Sequence, residues 1–136
     1  MLEVYSKNVT VAENGIIPLT TVALIKGTST QLLGTSTIQF NKCGIYEVIV
    51  SGSVTGSAAG EIVIQLEKNG VVQPQAVSLA TAADATSIIP FSFTTLIQVP
   101  DSNNINCPCS TTTTIYLRNA GIEDTYNTIT VTAVRI

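Results

Sequence analysis

The feature that most limits what this chain can become is its period. Apolar and polar residues alternate along nearly the whole length, and no window sustains a helical spacing. Alternation at period two puts successive side chains on opposite faces of a pleated strand. Threonine, valine and isoleucine dominate, and their branched side chains suit a pleated surface. Turn signals interrupt the pattern at Asn14-Gly15, Gly27, Gly34, Lys42-Cys43-Gly44, Gly56 to Gly60, Asn69-Gly70, Ala82 to Asp84, Pro100 to Pro108 and Gly121 to Asp124. Between them the spacing predicts strands over 2–6, 9–12, 16–25, 36–40, 45–55, 61–68, 71–80, 87–99, 112–118 and 127–135. Short strands in regular succession predict an all-β, antiparallel sandwich or barrel. The clearest hairpin is at Asn69-Gly70, between "EIVIQLEK" and "VVQPQAV". Both turn positions need a positive φ, which Asn and Gly tolerate.

Two of these strands are apolar on both faces. In "IYEVIVSGSV" one face carries Tyr46, Val48, Val50 and Val54, and the other carries Ile45 and Ile49. In "SIIPFSFTTLIQV" one face carries Ile89, Phe91, Phe93, Ile97 and Val99, and the other Ile88, Pro90 and Leu96. A two-sheet sandwich consumes one apolar face per strand, so the second face calls for a cover. Pro90 lacks an N–H and predicts an edge strand or a bulge there.

Composition points the same way. Charged residues are 11% of the chain, against about 25% in an average soluble domain. The deficit is filled by uncharged polar residues, and a surface this poor in charge predicts coverage by copies of the same chain. The cations Lys7, Lys26, Lys42, Lys68, Arg118 and Arg135 are scattered singly and the net charge is −3, which argues against a nucleic-acid partner. No apolar run is long enough to predict a membrane span. The N-terminal stretch lacks the plan of a signal peptide.

Candidate chemistry is sparse. Histidine is absent, which excludes His-based triads and His metal cages. "GTSTQLLGTS" has no lysine at the phosphate-loop position. Glu123-Asp124 beside Gly121 reads as a solvated turn, because a calcium site needs more oxygens. Glu47 interrupts an apolar strand, and Arg118 or Arg135 could pair with it, or it could sit at a solvated edge. We expect no catalytic residues, no metal and no cofactor. Of the cysteines, Cys107 and Cys109 are too close for a zinc half-site. Free thiols, a disulfide from Cys43 to the 107–109 loop, and bonds between chains all remain open.

One ordered set of segments resembles a known family. "IPLTTVAL", "STIQFNKCGIYEVIVSGSV", "IQLEKNG", "SFTTLIQV" and the terminal "ITVTAVRI" resemble the globular heads of complement-type and tumour-necrosis-factor-like proteins. The specific pieces are Phe40, then Gly44-Ile45-Tyr46 opening a strand, then Leu66 with Lys68-Asn69-Gly70. Relatives of that family include C-terminal domains of exosporium collagen-like glycoproteins and short phage-encoded virion proteins. The start at Met1 and the cysteine-bearing loop look most like the phage-encoded members. The carboxylates of some relatives' calcium sites have no match here.

The resemblance implies a single jelly-roll domain over 1–136, of about ten strands, assembling as a homotrimer. It implies interface or core roles for Tyr46, Val48, Val50, Phe91, Phe93, Ile97 and Val131. It gathers Cys43, Cys107 and Cys109 at one end of the jelly roll, where a disulfide cluster is expected. The function it implies is non-enzymatic and structural. The expected partners are other copies of the chain and a capsid or other surface assembly, with no nucleic acid and no membrane. The expected location is a virion, as capsid decoration or head fibre. The alternatives are a spore-surface or extracellular assembly protein, and a carbohydrate-binding adhesin. Residues 1–7, with Leu2, Val4 and Tyr5, are expected to act as a docking arm by strand addition.

Overall fold

The computed structural model describes residues 1–100 and 113–136. Ten strands run in the order β1 (Leu2–Val11), β2 (Thr21–Ile25), β3 (Thr30–Leu33), β4 (Thr37–Phe40), β5 (Gly44–Gly56), β6 (Gly60–Lys68), β7 (Val71–Ala82), β8 (Ile88–Val99), β9 (Thr113–Asn119) and β10 (Asp124–Arg135). They form two five-stranded sheets, ordered β2-β1-β10-β5-β8 and β3-β4-β9-β6-β7. Every strand pairing is antiparallel. The chain is therefore all-β and antiparallel, as its alternation predicts, and the jelly-roll sandwich that the family resemblance implies.

The core lies between the sheets. One sheet contributes Leu2, Val4, Tyr46, Val48, Val50, Ile129 and Val131, and the other Ile38, Phe40, Ile62, Ile64, Leu66, Ile115 and Leu117, all buried. Tyr46 and Phe40 meet across the gap with ring centroids 4.4 Å apart. The Tyr46 hydroxyl donates to the Lys42 carbonyl at 2.6 Å, so the ring is buried with its polar end satisfied.

Local chemistry explains the element ends. The β6–β7 hairpin turns at Asn69 and Gly70, with φ of 51° and 83°, as the dipeptide predicts. Pro90 sits on β8, an edge strand, where a missing N–H leaves no partner short. Asp84 Oδ1 accepts hydrogen bonds from Thr86 N, Thr86 Oγ1 and Ser87 Oγ, which pins the β7–β8 turn. At Gly52 no side chain fits. A Cβ there would lie 2.9 Å from the Thr128 carbonyl carbon and 3.0 Å from Ile129 Cα, beside a register shift between Tyr126 and Thr128.

Four boundaries differ from the sequence expectation, one of them the start of β10, which lies at Asp124 and not at residue 127. Segments 2–6 and 9–12 are one strand, because Asn8 takes a φ of 53° and pairing with β10 continues through it. Residues 16–20 are not a regular strand. Ile17 and Leu19 go into the core, and the Ser6 hydroxyl donates to the Pro18 carbonyl and accepts from Thr20 N. Strand β3 lies between Gly27 and Gly34, where the sequence predicts no strand. Residues 2–7 lie within β1, paired with β10 on one side and, from Leu2 to Tyr5, with β2 on the other. Leu2 and Val4 are core residues of this chain, and Tyr5 is half-buried.

Candidate assembly surface

The site is built from the two doubly apolar strands. β5 and β8 pair along their length, with Ile45 opposite Gln98, Glu47 opposite Leu96 and Ile49 opposite Thr94. One side of each strand supplies the core. The other side projects away from the sandwich, and there Ile45, Ile49 and Leu96 keep 46%, 37% and 57% of their surface exposed. Val134 of β10 lies beside Glu47 and is half-buried. Farther along the face the residues are hydroxylated: Ser51 opposite Ser92, with Thr130 and Thr132 of β10 alongside. This outward face is thus apolar at one end and polar but almost uncharged at the other.

Glu47 stands within the apolar part, flanked by Leu96 and Val134 across its two neighbouring strands. Among the described residues it has no ion-pair partner. The cations considered for it are engaged elsewhere. Arg118 lies on β9 in the other sheet and pairs with Glu67 at 2.6 Å. Arg135 Nη2 donates to the Cys43 carbonyl at 2.7 Å. Arg135 and Cys43 also line an open pocket of about 270 Å³ with Gly44, Ile45, Gln98 and Val99, at the rim of the face.

Further exposed apolar residues lie on the edge strands. β7 and β8 are edge strands of opposite sheets, and Leu79 and Ile88 are each 67% exposed. β2 edges the first sheet with all five residues exposed, Val22, Leu24 and Ile25 among them. An exposed apolar edge strand is a template for association unless something covers it.

The residues singled out for interface or core roles all point between the sheets. Tyr46, Val48, Val50, Ile97 and Val131 are at most 1% exposed, Phe91 is buried, and Phe93 is half-buried against them. They are therefore not available to another copy of the chain, whereas Ile45, Ile49 and Leu96 face outward. Sequence pattern exposes both sets equally; only the packing of the second sheet selects the inner one. Cys43 is buried and disulfide-bonded. Cys107 and Cys109 lie outside the described residues. Among the described residues no cluster of His, Cys, Asp and Glu could hold a metal.

The outward face of the second sheet carries a polar cluster. Glu67 accepts from Arg118 Nε at 2.6 Å and from the Tyr116 hydroxyl at 3.0 Å. Arg118 also donates to the Asn14 carbonyl and lies 5.6 Å from the Tyr116 ring centre. Burial alone would push the Glu67 carboxyl up. The hydrogen bonds from Arg118 and Tyr116, with the Arg118 charge, together outweigh it and hold the group below the usual Glu range. The cluster thus ties β6 to β9 and to the 12–15 link.

Comparison with solved structures places this architecture among TNF-like jelly rolls. PRD1 vertex protein P5 matches with a TM-score of 0.59 and 15% identity, over 99% of this chain and 95% of that one. Murine APRIL matches with a TM-score of 0.60 and 10% identity, over 99% and 98%. Rabbit GITRL matches with a TM-score of 0.51 and 14% identity, over 100% and 94%. Identities this low establish a shared fold. No protein-family model matches the chain, and a search of curated proteins found no match.

Proposed function

We propose that this TNF-like jelly roll is a non-enzymatic structural protein that assembles as a homotrimer and is displayed on a phage virion, as capsid decoration or fibre head. The observation that carries the reading is the outward face of the β2-β1-β10-β5-β8 sheet, where Ile45, Ile49 and Leu96 remain exposed on a chain with few charges. The exposed edge strand β2, with Val22, Leu24 and Ile25, gives each copy a second, unlike surface. Unlike surfaces that meet head to tail build a ring when the rotation closes. The TNF-like fold favours three as the number that closes it. The likeness to a vertex protein supports display on a particle, and none of the matched structures described above bears the name of an enzyme.

Light scattering of the purified protein should give three times 14.3 kDa. A clean monomer at micromolar concentration overturns the trimer. Proteomics of purified particles should find the chain in stoichiometric amount, and its absence from every particle fraction overturns the virion assignment.

A further inference from the structure

The start of β10 holds a carboxylate that sequence reading assigns to a solvated turn. Asp124 is 1% exposed. It lies between Val11 of β1 and Gly56 of β5 in the sheet. Its Oδ2 accepts from the Tyr126 hydroxyl at 3.2 Å, and its Oδ1 is buried with no hydrogen-bond partner among the described residues. Tyr126 is itself fully buried and packs edge-on against Phe91. An ionised carboxylate with one hydrogen bond is poorly stabilised in such a place, whereas the neutral acid is tolerated.

The charged surroundings offer no relief. The residues across from Asp124 on β1 and β5 are not titratable. The charged residues on the adjoining segments are Glu13, Glu61 and Glu123, all carboxylates, and Arg118 is committed to Glu67 and the Asn14 carbonyl. Burial pushes the Asp124 carboxyl up to about 7, the Tyr126 hydrogen bond opposes the rise slightly, and the Glu123 charge adds to it.

Asp124 also sits under a junction of three chain segments. Asn119 Nδ2 donates to the carbonyls of Val11, Ala12 and Ile122. Ser57 N donates to the Glu123 carbonyl and Ile122 N to the Glu61 carbonyl. These bonds tie the β1 end, the β5–β6 turn and the β9–β10 turn together at the chain segment that leads into Asp124.

We propose that Asp124 is a proton-operated clamp: protonated, it lets this junction close on a neutral core, and ionised, it loosens the turns at 57–60 and 120–123. A carboxyl that holds its proton more tightly when folded contributes stability that is complete below its unfolded value, near 3.8, and is lost as pH rises to about 7. Above that the profile levels off. Acid therefore tightens this end of the molecule.

The test is denaturant unfolding of the intact protein from pH 5 to pH 8, with wild type beside Asp124→Asn. The wild-type folding constant should fall by up to about tenfold per pH unit between pH 5 and 7, and the variant should be flat across that range. Amide exchange at 57–60 and 120–123, compared between the two proteins at each pH, should diverge only toward the upper end. Parallel stability profiles overturn the proposal. Should the variant fail to fold, the carboxyl carbon of Asp124 is titrated by NMR in the wild type. A midpoint near 7 upholds the clamp, and one in the ordinary carboxylate range refutes it.

Discussion

Replacing Ile49 and Leu96 together by serine probes the assembly face without touching the core. Both residues point away from the sandwich, 37% and 57% exposed. Full burial of such a side chain is worth about 1.5–3 kcal/mol. The part still exposed therefore leaves roughly 1.5–3 kcal/mol per chain, for the two residues together, to be gained when another copy covers the face. A trimer would realise this three times, about 4.5–9 kcal/mol in all. Each 1.4 kcal/mol is tenfold, and the midpoint concentration of a trimer varies as the square root of its association constant. Assembly should therefore shift to concentrations higher by about two to three orders of magnitude. Sedimentation velocity or light scattering over a dilution series reads this directly. The protomer itself should lose about 1–2 kcal/mol at Ile49 and about 0.6–1.3 kcal/mol at Leu96, for the part of each side chain already covered within the chain, so the fold of the variant is checked alongside. Unchanged assembly with an intact fold would refute the argument, since the face would then be uncovered in the oligomer.

Other outcomes follow from the same structure. Arg118→Ala removes the strongest partner of a buried carboxylate and should cost about 1–3 kcal/mol by denaturant unfolding. Glu67 titrates below its ordinary 4.5 in the fold, so its contribution is present above that value and lost as pH falls through the lower one; the variant should show a smaller acid-side loss. Gly52→Ala drives a methyl group into the backbone at Thr128 and Ile129 and should destabilise by about 3 kcal/mol, measured by thermal or denaturant unfolding. Cys43→Ser removes a disulfide and should cost about 2–4 kcal/mol under non-reducing conditions, with no difference from wild type once both are reduced.

The sequence by itself determined the fold class, the Asn69-Gly70 hairpin and the presence of a spare apolar face. Each rests on a local rule: period two makes strands, a positive φ selects turn residues, and two apolar sides on one strand exceed what a sandwich consumes. It could not say which side is spare, because alternation is symmetric between the two faces of a strand. The second sheet settled that by packing on Tyr46, Val48 and Val50 and leaving Ile45, Ile49 and Leu96 outside. Nor could it place Asp124, since Gly121 to Asp124 is locally indistinguishable from a solvated turn. Three turns far apart in the chain converge there, and their convergence puts Asp124 at 1% exposure. The pairing of Arg118 with Glu67 rather than Glu47 has the same origin. Strand order assigns β9 to the neighbour of β6, in the sheet opposite β5, and no property of residues 47, 67 or 118 encodes that order.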